Sequence, residues 1–270
     1  MSAPVPRPPR FRGGGAVADG RLGADRDVRW HLAEEVPAAL TFNQETSVVM
    51  MVTPADLEDF AVGFAVSEGM VPSAADITKI DVLASANGYV IDIRANRLTE
   101  RAGRERAIAG RTGCGLCGVD SLEDAVRPAI PVSRSFRLDP AAAARALAGL
   151  PDHQPLNRLN HSVHAAAWCA PSGDILRARE DVGRHNALDK LLGSMLRDGL
   201  DAADGFVALS SRCSFELVQK SAACGIDTLA TVSAPTGLAL DVAAAAGMTL
   251  VALAGDEIVI FDNTRAEAAA

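Results

Sequence analysis

From Ile175 to Phe261, short apolar runs alternate with helical stretches of about ten residues, and this alternation constrains the fold more than any other feature of the chain. Strand signals cover Ile175–Ala178, Phe206–Leu209, Thr228–Val232 and Met248–Leu253. Helical stretches run through Leu191 and Leu192 to near Gly199, then over Phe215–Ala223 and Gly237–Ala246. Ile258–Phe261 is expected to pair back across Gly255 and Asp256. Strands separated by such helices are the signature of parallel strands with helical crossovers, which makes this part of the chain α/β. Open α/β sheets bind ligands beyond the carboxyl ends of their strands. Polar stretches follow three of these strands, at Asp181–Asn186, Ser210–Ser214 and Ser233–Thr236, and are expected to line one crevice.

The earlier chain reads differently. Residues 1–25 mix proline, glycine and arginine without periodicity, as a disordered arm does. Residues 26–110 form a smaller strand and helix module. Within it Ser47–Val52 is β-rich, and Thr53-Pro54-Ala55-Asp56 resembles a helix start with a cap and an early proline. Leu57, Phe60, Ala61 and Phe64 recur at helical spacing before a stop at Gly69, which leaves Glu58, Asp59 and Glu68 as a solvated helix face. Ile77–Leu83 and Tyr89–Ile93, split by Asn87-Gly88, predict a hairpin. A cysteine-bearing loop and linker, with a short helix over Leu122–Val126, occupies residues 111–132, and the α/β domain fills 133–264. Asp139 is placed to cap a helix running from Pro140 to about Leu150.

Composition excludes some partners. The net charge of −8 offers no general attraction to nucleic acid or an anionic membrane, so any phosphate site must be made locally. Arg184, His185, Lys190 and Arg212 are the candidates, although such a cluster is as readily a structural ion-pair network. No run of 18 apolar residues is present to span a bilayer, and no apolar signal-peptide core follows the N-terminal arginines. Five scattered cysteines are unlike a secreted disulfide framework, which points to a cytoplasmic protein.

Two of those cysteines lie in Arg111-Thr112-Gly113-Cys114-Gly115-Leu116-Cys117-Gly118, a glycine-punctuated stretch suited to a flexible or tightly turning loop. A structural zinc needs four ligands, and no second pair stands near this one. A deaminase zinc needs His-x-Glu and Pro-Cys-x-x-Cys, where this chain has His164-Ala165-Ala166 and Gly113-Cys114. Redox exchange and nucleophilic sulfur chemistry remain, and the neighbouring Arg111 favours a thiolate for either. Cys169, Cys213 and Cys224 fit the usual role of buried, inert thiols.

Four stretches together, Arg111–Glu123, Glu180–Gly193, Ser210–Gly225 and Ser233–Gly237, closely resemble the formate dehydrogenase accessory family FdhD, and the resemblance runs from about Val28 to Phe261. It implies two domains, the larger with a cytidine-deaminase-like α/β fold and no bound zinc, usually in a homodimer. It also implies a sulfur carrier, a sulfurtransferase that takes sulfur from a cysteine desulfurase as a cysteine persulfide. The sulfur passes to the molybdenum bis-guanine-dinucleotide cofactor before that cofactor enters formate dehydrogenase. By resemblance Cys114 carries the persulfide and Cys117 matches the loop's second cysteine. Leu253, Ala254, Gly255, Asp256, Glu257 and Ile258 fall at the guanine-dinucleotide contact, with Arg184, His185 and Arg212 toward phosphates. The alternative is a chaperone that binds the cofactor without transferring sulfur. The chain departs from the family at Asn160-His161-Ser162-Val163, where a Thr-Gly pair is usual.

Overall fold

The computed structural model describes residues 17–22, 26–102, 127–133 and 136–262. Near the N-terminus of this region, β1 (Val17–Leu22) and β2 (Arg26–His31) form an antiparallel two-stranded sheet. Residues 17–22, expected to belong to a structureless arm, are therefore a strand; cross-strand pairing with β2 supplies an order that local composition does not encode.

Four strands build the smaller layered unit, in the order β4-β3-β6-β5. Strand β3 (Val36–Phe42) alternates strictly, with Val36, Ala38, Leu40 and Phe42 buried and the residues between them half-exposed. It pairs antiparallel with β4 (Thr46–Val52) and parallel with β6 (Gly88–Ala95). Strand β5 (Ile77–Ser85) completes the expected hairpin with β6. Its turn requires Gly88, because φ is +152° there and a Cβ would strike the Pro37 carbonyl. Helix α1 (Leu57–Ser67) packs Leu57, Phe60, Ala61 and Phe64 against Phe42, Ile91 and Ile93.

The helix begins later than its apparent start signal. Asp56 precedes it in a left-handed conformation and makes no side-chain cap, while Thr53 is drawn into contacts with the larger unit. Its acidic residues also differ from expectation. Asp59 is 6% exposed and Glu68 is largely enclosed, so only Glu58 remains on a solvated face. The burials have different causes: Arg179 and Arg197 of the larger unit meet Asp59, while Lys220, Arg101 and Arg127 enclose Glu68.

The larger unit is a six-stranded mixed sheet with helices on both faces, in the order β12-β11-β10-β9-β7-β8. Its strands are β7 (His164–Cys169), β8 (Ile175–Asp181), β9 (Phe206–Leu209), β10 (Thr228–Thr231), β11 (Thr249–Ala254) and β12 (Glu257–Phe261). Strands β9, β10 and β11 are parallel, as the alternation predicts. The expectation for the first strand changes, because β7 inserts antiparallel between β8 and β9. The sequence of β7, His-Ala-Ala-Ala-Trp-Cys, lacks β-branched residues, so its strand character comes from its two neighbours rather than from propensity.

Side chains along these strands sort by parity. Ala166, Trp168, Val207, Leu209, Leu229 and Leu250 face a layer made of α4 (Arg184–Asp198), α5 (Phe215–Ala223) and α6 (Gly237–Ala246). Ala165, Ala167, Phe206, Ala208, Ala230 and Val251 face α2 (Pro140–Gly149) on the other side. Asp139 caps α2 by accepting from the Ala141 amide, as expected. A short helix, α3 (Pro155–Asn160), leads into β7.

Candidate functional site

Because β8, β9, β10 and β11 run in one direction, their carboxyl ends share one edge, to which β7 contributes its first residue. His164 opens β7, Arg184 and His185 open α4, and Ser210 to Glu216 lead from β9 into α5. Two hydrogen bonds close this edge: Ser210 Oγ accepts from the Ala165 amide at 2.7 Å, and the Ser210 amide donates to the Ala165 carbonyl at 3.0 Å. Cys213 forms a β-bridge with Pro235, and the Thr236 amide donates to the Cys213 carbonyl. The three polar stretches singled out in the sequence thus do converge.

The electrostatics of this crevice are incompletely compensated. His185 Nε2 lies 3.9 Å from Glu216 Oε2, an ion-pair separation too long for a hydrogen bond. Both atoms, and Ser214 Oγ, are buried without a hydrogen-bond partner among the described residues. Burial pushes the Glu216 carboxyl up, but the nearby His185 and Ser214 outweigh it and hold the group below its usual range. Burial also lowers the half-buried His164, and the positive charges of Arg184 and His185 lower it further against the opposing pull of Asp181. Neither Gly183 nor Ser214, the residues preceding α4 and α5, caps its helix through a side chain, so both helices direct a positive dipole end at this edge, with Glu216 in the first turn of α5. Arg212 stands exposed at the rim. His164 and Glu216 belong to this site although sequence reasoning did not select them; the signal for His164 was a lone polar residue heading an apolar strand.

Lys190 does not belong to it. Its ammonium is fully buried 2.7 Å from Asp181 Oδ2 and also donates to the carbonyls of Thr53 at 2.9 Å and Glu180 at 3.3 Å. Asp181 further accepts from the amides of Thr53 and Gly183 and from Asn186 Nδ2. These groups form the upper part of a charged seam between α1 and α4. Lower down, Asp189 accepts from Ser67 Oγ at 2.6 Å and from Lys220 Nζ at 2.8 Å, and Lys220 reaches Glu68 Oε1 at 2.9 Å. Arg179 and Arg197 both pair with Asp59. The helices meet closely because Gly63 and Gly193 face each other's partner backbone: a Cβ on Gly63 would enter the Asp189 carbonyl, and one on Gly193 the Asp59 carbonyl.

Residues 253–258 sit on the same edge but farther along it. They form the β11–β12 turn, largely exposed, with Leu253 paired to Ile258 and Ala254 to Glu257. Three strand spacings separate β11 from β7, about 14 Å. The turn and the Arg184–His185 cluster are therefore two ends of one surface rather than one pocket.

Cys114 and Cys117 lie outside the described residues, as does the helix expected at Leu122–Val126. The described chain stops at Ala102, which is buried, and resumes at Arg127. Both ends are held by one carboxylate, since Glu68 Oε2 lies 3.8 Å from Arg101 Nη2 and 3.8 Å from Arg127 Nη2. Burial pushes Glu68 up, but Lys220, Arg127 and Arg101 together bring its pKa down to about 2. A cleft of about 330 Å³ adjoins this anchor, floored by Ala129, Ala222, Val242 and Ala246. It lies at the C-terminal ends of α5 and α6, whereas the crevice lies at their N-terminal ends.

The three described cysteines are free thiols, and burial pushes each up to about 12. They are not thiolates at neutral pH. Among the described residues no three His, Cys, Asp or Glu side chains are grouped to hold a metal ion, and no helix is long and apolar enough to cross a membrane.

Comparison with known proteins agrees across sequence and structure. A family model described as the FdhD/NarQ family matches residues 33–266. The sulfur carrier protein FdhD of Burkholderia cenocepacia is 47% identical over 244 residues, covering 87% of this chain and 88% of that protein. Its namesake in Chromobacterium violaceum is 49% identical over 237 residues, covering 84% and 86%. A crystal structure from Desulfotalea psychrophila, of a chain assigned as a formate dehydrogenase accessory protein, superposes with a TM-score of 0.72 at 26% identity, covering 92% of this chain and 97% of that one.

Proposed function

The chain belongs to the FdhD/NarQ family, and from that premise we propose that it is a sulfurtransferase, a sulfur carrier serving formate dehydrogenase. Cys114 is the carrying residue. Its thiolate attacks the outer sulfur of a persulfide on a cysteine desulfurase; a new S–S bond forms on Cys114, and the desulfurase cysteine leaves as a thiolate. The acceptor is the molybdenum bis-guanine-dinucleotide cofactor, before its insertion into the dehydrogenase. Cys117 shapes or relays within the same loop. A cytoplasmic location, a homodimer and a cytidine-deaminase-like fold for the larger unit complete the reading, the last supported by the mixed sheet order with helices on both faces.

The observation that carries this reading is a local cationic crevice, with Arg184, Arg212 and two uncapped helix N-termini on one sheet edge, in a chain whose net charge is −8. A large anionic acceptor suits that edge: phosphates fit near Arg184 and Arg212, with guanine contacts at residues 253–258. Reach is not an obstacle. Cys114 is twelve residues beyond Ala102, and a dozen extended residues span up to about 40 Å. The nine residues of α5, which separate anchor from crevice, rise only about 13 Å.

The test is intact mass after incubation with a desulfurase and cysteine, paired with Cys114→Ala. Wild type should gain one sulfur mapped to Cys114. The variant should lose formate dehydrogenase activation while still binding GDP. Full activation by Cys114→Ala would leave a cofactor-binding chaperone and sink sulfur transfer.

A further inference from the structure

The crevice has an aromatic neighbour that the reading above leaves unused. Trp30, on the otherwise solvated β2, remains 42% exposed. Its indole lies 5.5 Å from the His161 ring at a tilt of 43°, and its Nε1 reaches toward the Asn160 carbonyl at 3.4 Å. His161 ends α3 in a left-handed conformation, φ +54°, where glycine costs least. The residue there carries an aromatic ring nonetheless. The turn is braced from both sides: Ser162 bonds the Asn160 side chain, and the Val163 amide donates to Asn157. Three residues later the chain reaches His164 inside the crevice, at most about 10 Å away along the backbone. An exposed Trp–His pair thus flanks the cationic edge on the side opposite residues 253–258.

We propose that Trp30 and His161 form a stacking platform for a planar fused-ring heterocycle, a pterin or the second guanine, of a ligand whose first guanine lies at residues 253–258 and whose phosphates lie near Arg184 and Arg212. This rests on the cofactor-binding reading above and adds the surface that receives one of its rings. The alternative role for Trp30 is to fasten the β1–β2 hairpin to α3. Stacking explains what fastening does not, namely why so much of the indole is left exposed. Base–aromatic stacking tolerates different rings because every base presents a π-face.

The chain has two tryptophans, and Trp168 is only 2% exposed, so quenching by an added ring reports on Trp30. GDP and neopterin are titrated separately into the full chain, with affinities from calorimetry. Quenching by either supports the platform and assigns its ring. Trp30→Phe should lose the signal but keep affinity within about threefold, while Trp30→Ala should weaken binding about 5- to 150-fold, the range for loss of one stacked base. His161→Ala, which leaves the hairpin's indole in place, should weaken it severalfold. Should wild type bind GDP or neopterin while both alanine variants match it within about twofold for every probe it binds, the platform is wrong and the crevice reading stands. Failure of wild type to bind either probe overturns both.

Discussion

Helix α4 serves two charged regions that use their charges in opposite ways. At its first turn Arg184 and His185 border a crevice where His185 and Glu216 stop short of a hydrogen bond. One and two turns later Asp189, Lys190 and Gly193 are sealed against α1, with each ion closely paired and each helix indented by a glycine. The difference teaches that a charged motif cannot be assigned as a unit. The run from Arg184 to Lys190 is half crevice-facing and half structural, and helical geometry divides it. A buried pair contributes little relative to a well-packed apolar pair, but removing one partner strands the other in low dielectric.

The sharpest way to break this contrast is to remove Lys190. Lys190→Met leaves Asp181 buried and without its cation, and unfolding in urea should show a loss of about 3–5 kcal/mol. Arg212→Met, at the exposed rim, should stay within about 0.5 kcal/mol of wild type. Comparable losses from the two would mean that seam and rim do not differ.

Acid should attack the seam through Glu68. Its folded pKa, about 2, lies below the ordinary carboxylate value of 4.5, so its contribution is complete above the higher value and is lost as pH falls toward the lower. That shift corresponds to something on the order of 3 kcal/mol. Urea midpoints of wild type should therefore fall between pH 5 and 2.5 more steeply than those of Glu68→Gln. Parallel curves would show that Lys220, Arg101 and Arg127 do not hold the carboxylate as described.

A smaller effect tests the helix contact itself. Gly193→Ala gains helix propensity, yet its methyl must displace the Asp59 carbonyl, and we expect a net loss of about 2 kcal/mol. A gain in stability would mean that α1 and α4 are free to separate.

The seam also marks where sequence reasoning stopped. The elements at Phe206–Leu209, Phe215–Ala223 and Gly237–Ala246 were legible because period, cap and breaker residues all lie within a few positions. The insertion of β7 between β8 and β9 was not, since strand order is decided by contacts distant in sequence. Asp59 and Glu68 look solvated on any helical projection of α1 alone; Arg179 and Arg197 bury the first, and Lys220, Arg101 and Arg127 the second. One signal was available. Gly63 and Gly193 each sit inside a helix at a cost of about 1 kcal/mol relative to alanine, and such glycines point to a close approach. For the crevice, convergence of polar stretches at strand ends was legible, whereas the choice between a phosphate role and an ion-pair role for Lys190 was left open, because its burial depends on Thr53 and Asp181 from elsewhere in the chain.

The smallest predicted effect belongs to the crevice and sharpens it from the ligand side. His164 is lowered first by burial and then by Arg184 and His185, with Asp181 opposing, so at neutral pH it is uncharged. A phosphate seated there would offset that positive field and let the imidazole regain its proton. Binding and proton uptake are linked, so GDP affinity should strengthen as pH falls from 7.5 toward 5.5. The gain for one group cannot exceed tenfold per pH unit, and a threefold total is the expected scale. GDP's own terminal phosphate also titrates near 6 and works in the other direction, and His185 and Glu216 share the neighbourhood. His164→Gln keeps all of these and removes only the imidazole. The informative quantity is therefore the difference between the two pH profiles. If the profiles superimpose, His164 does not face the phosphate, and the anion site must be drawn nearer Arg212 and the α5 N-terminus.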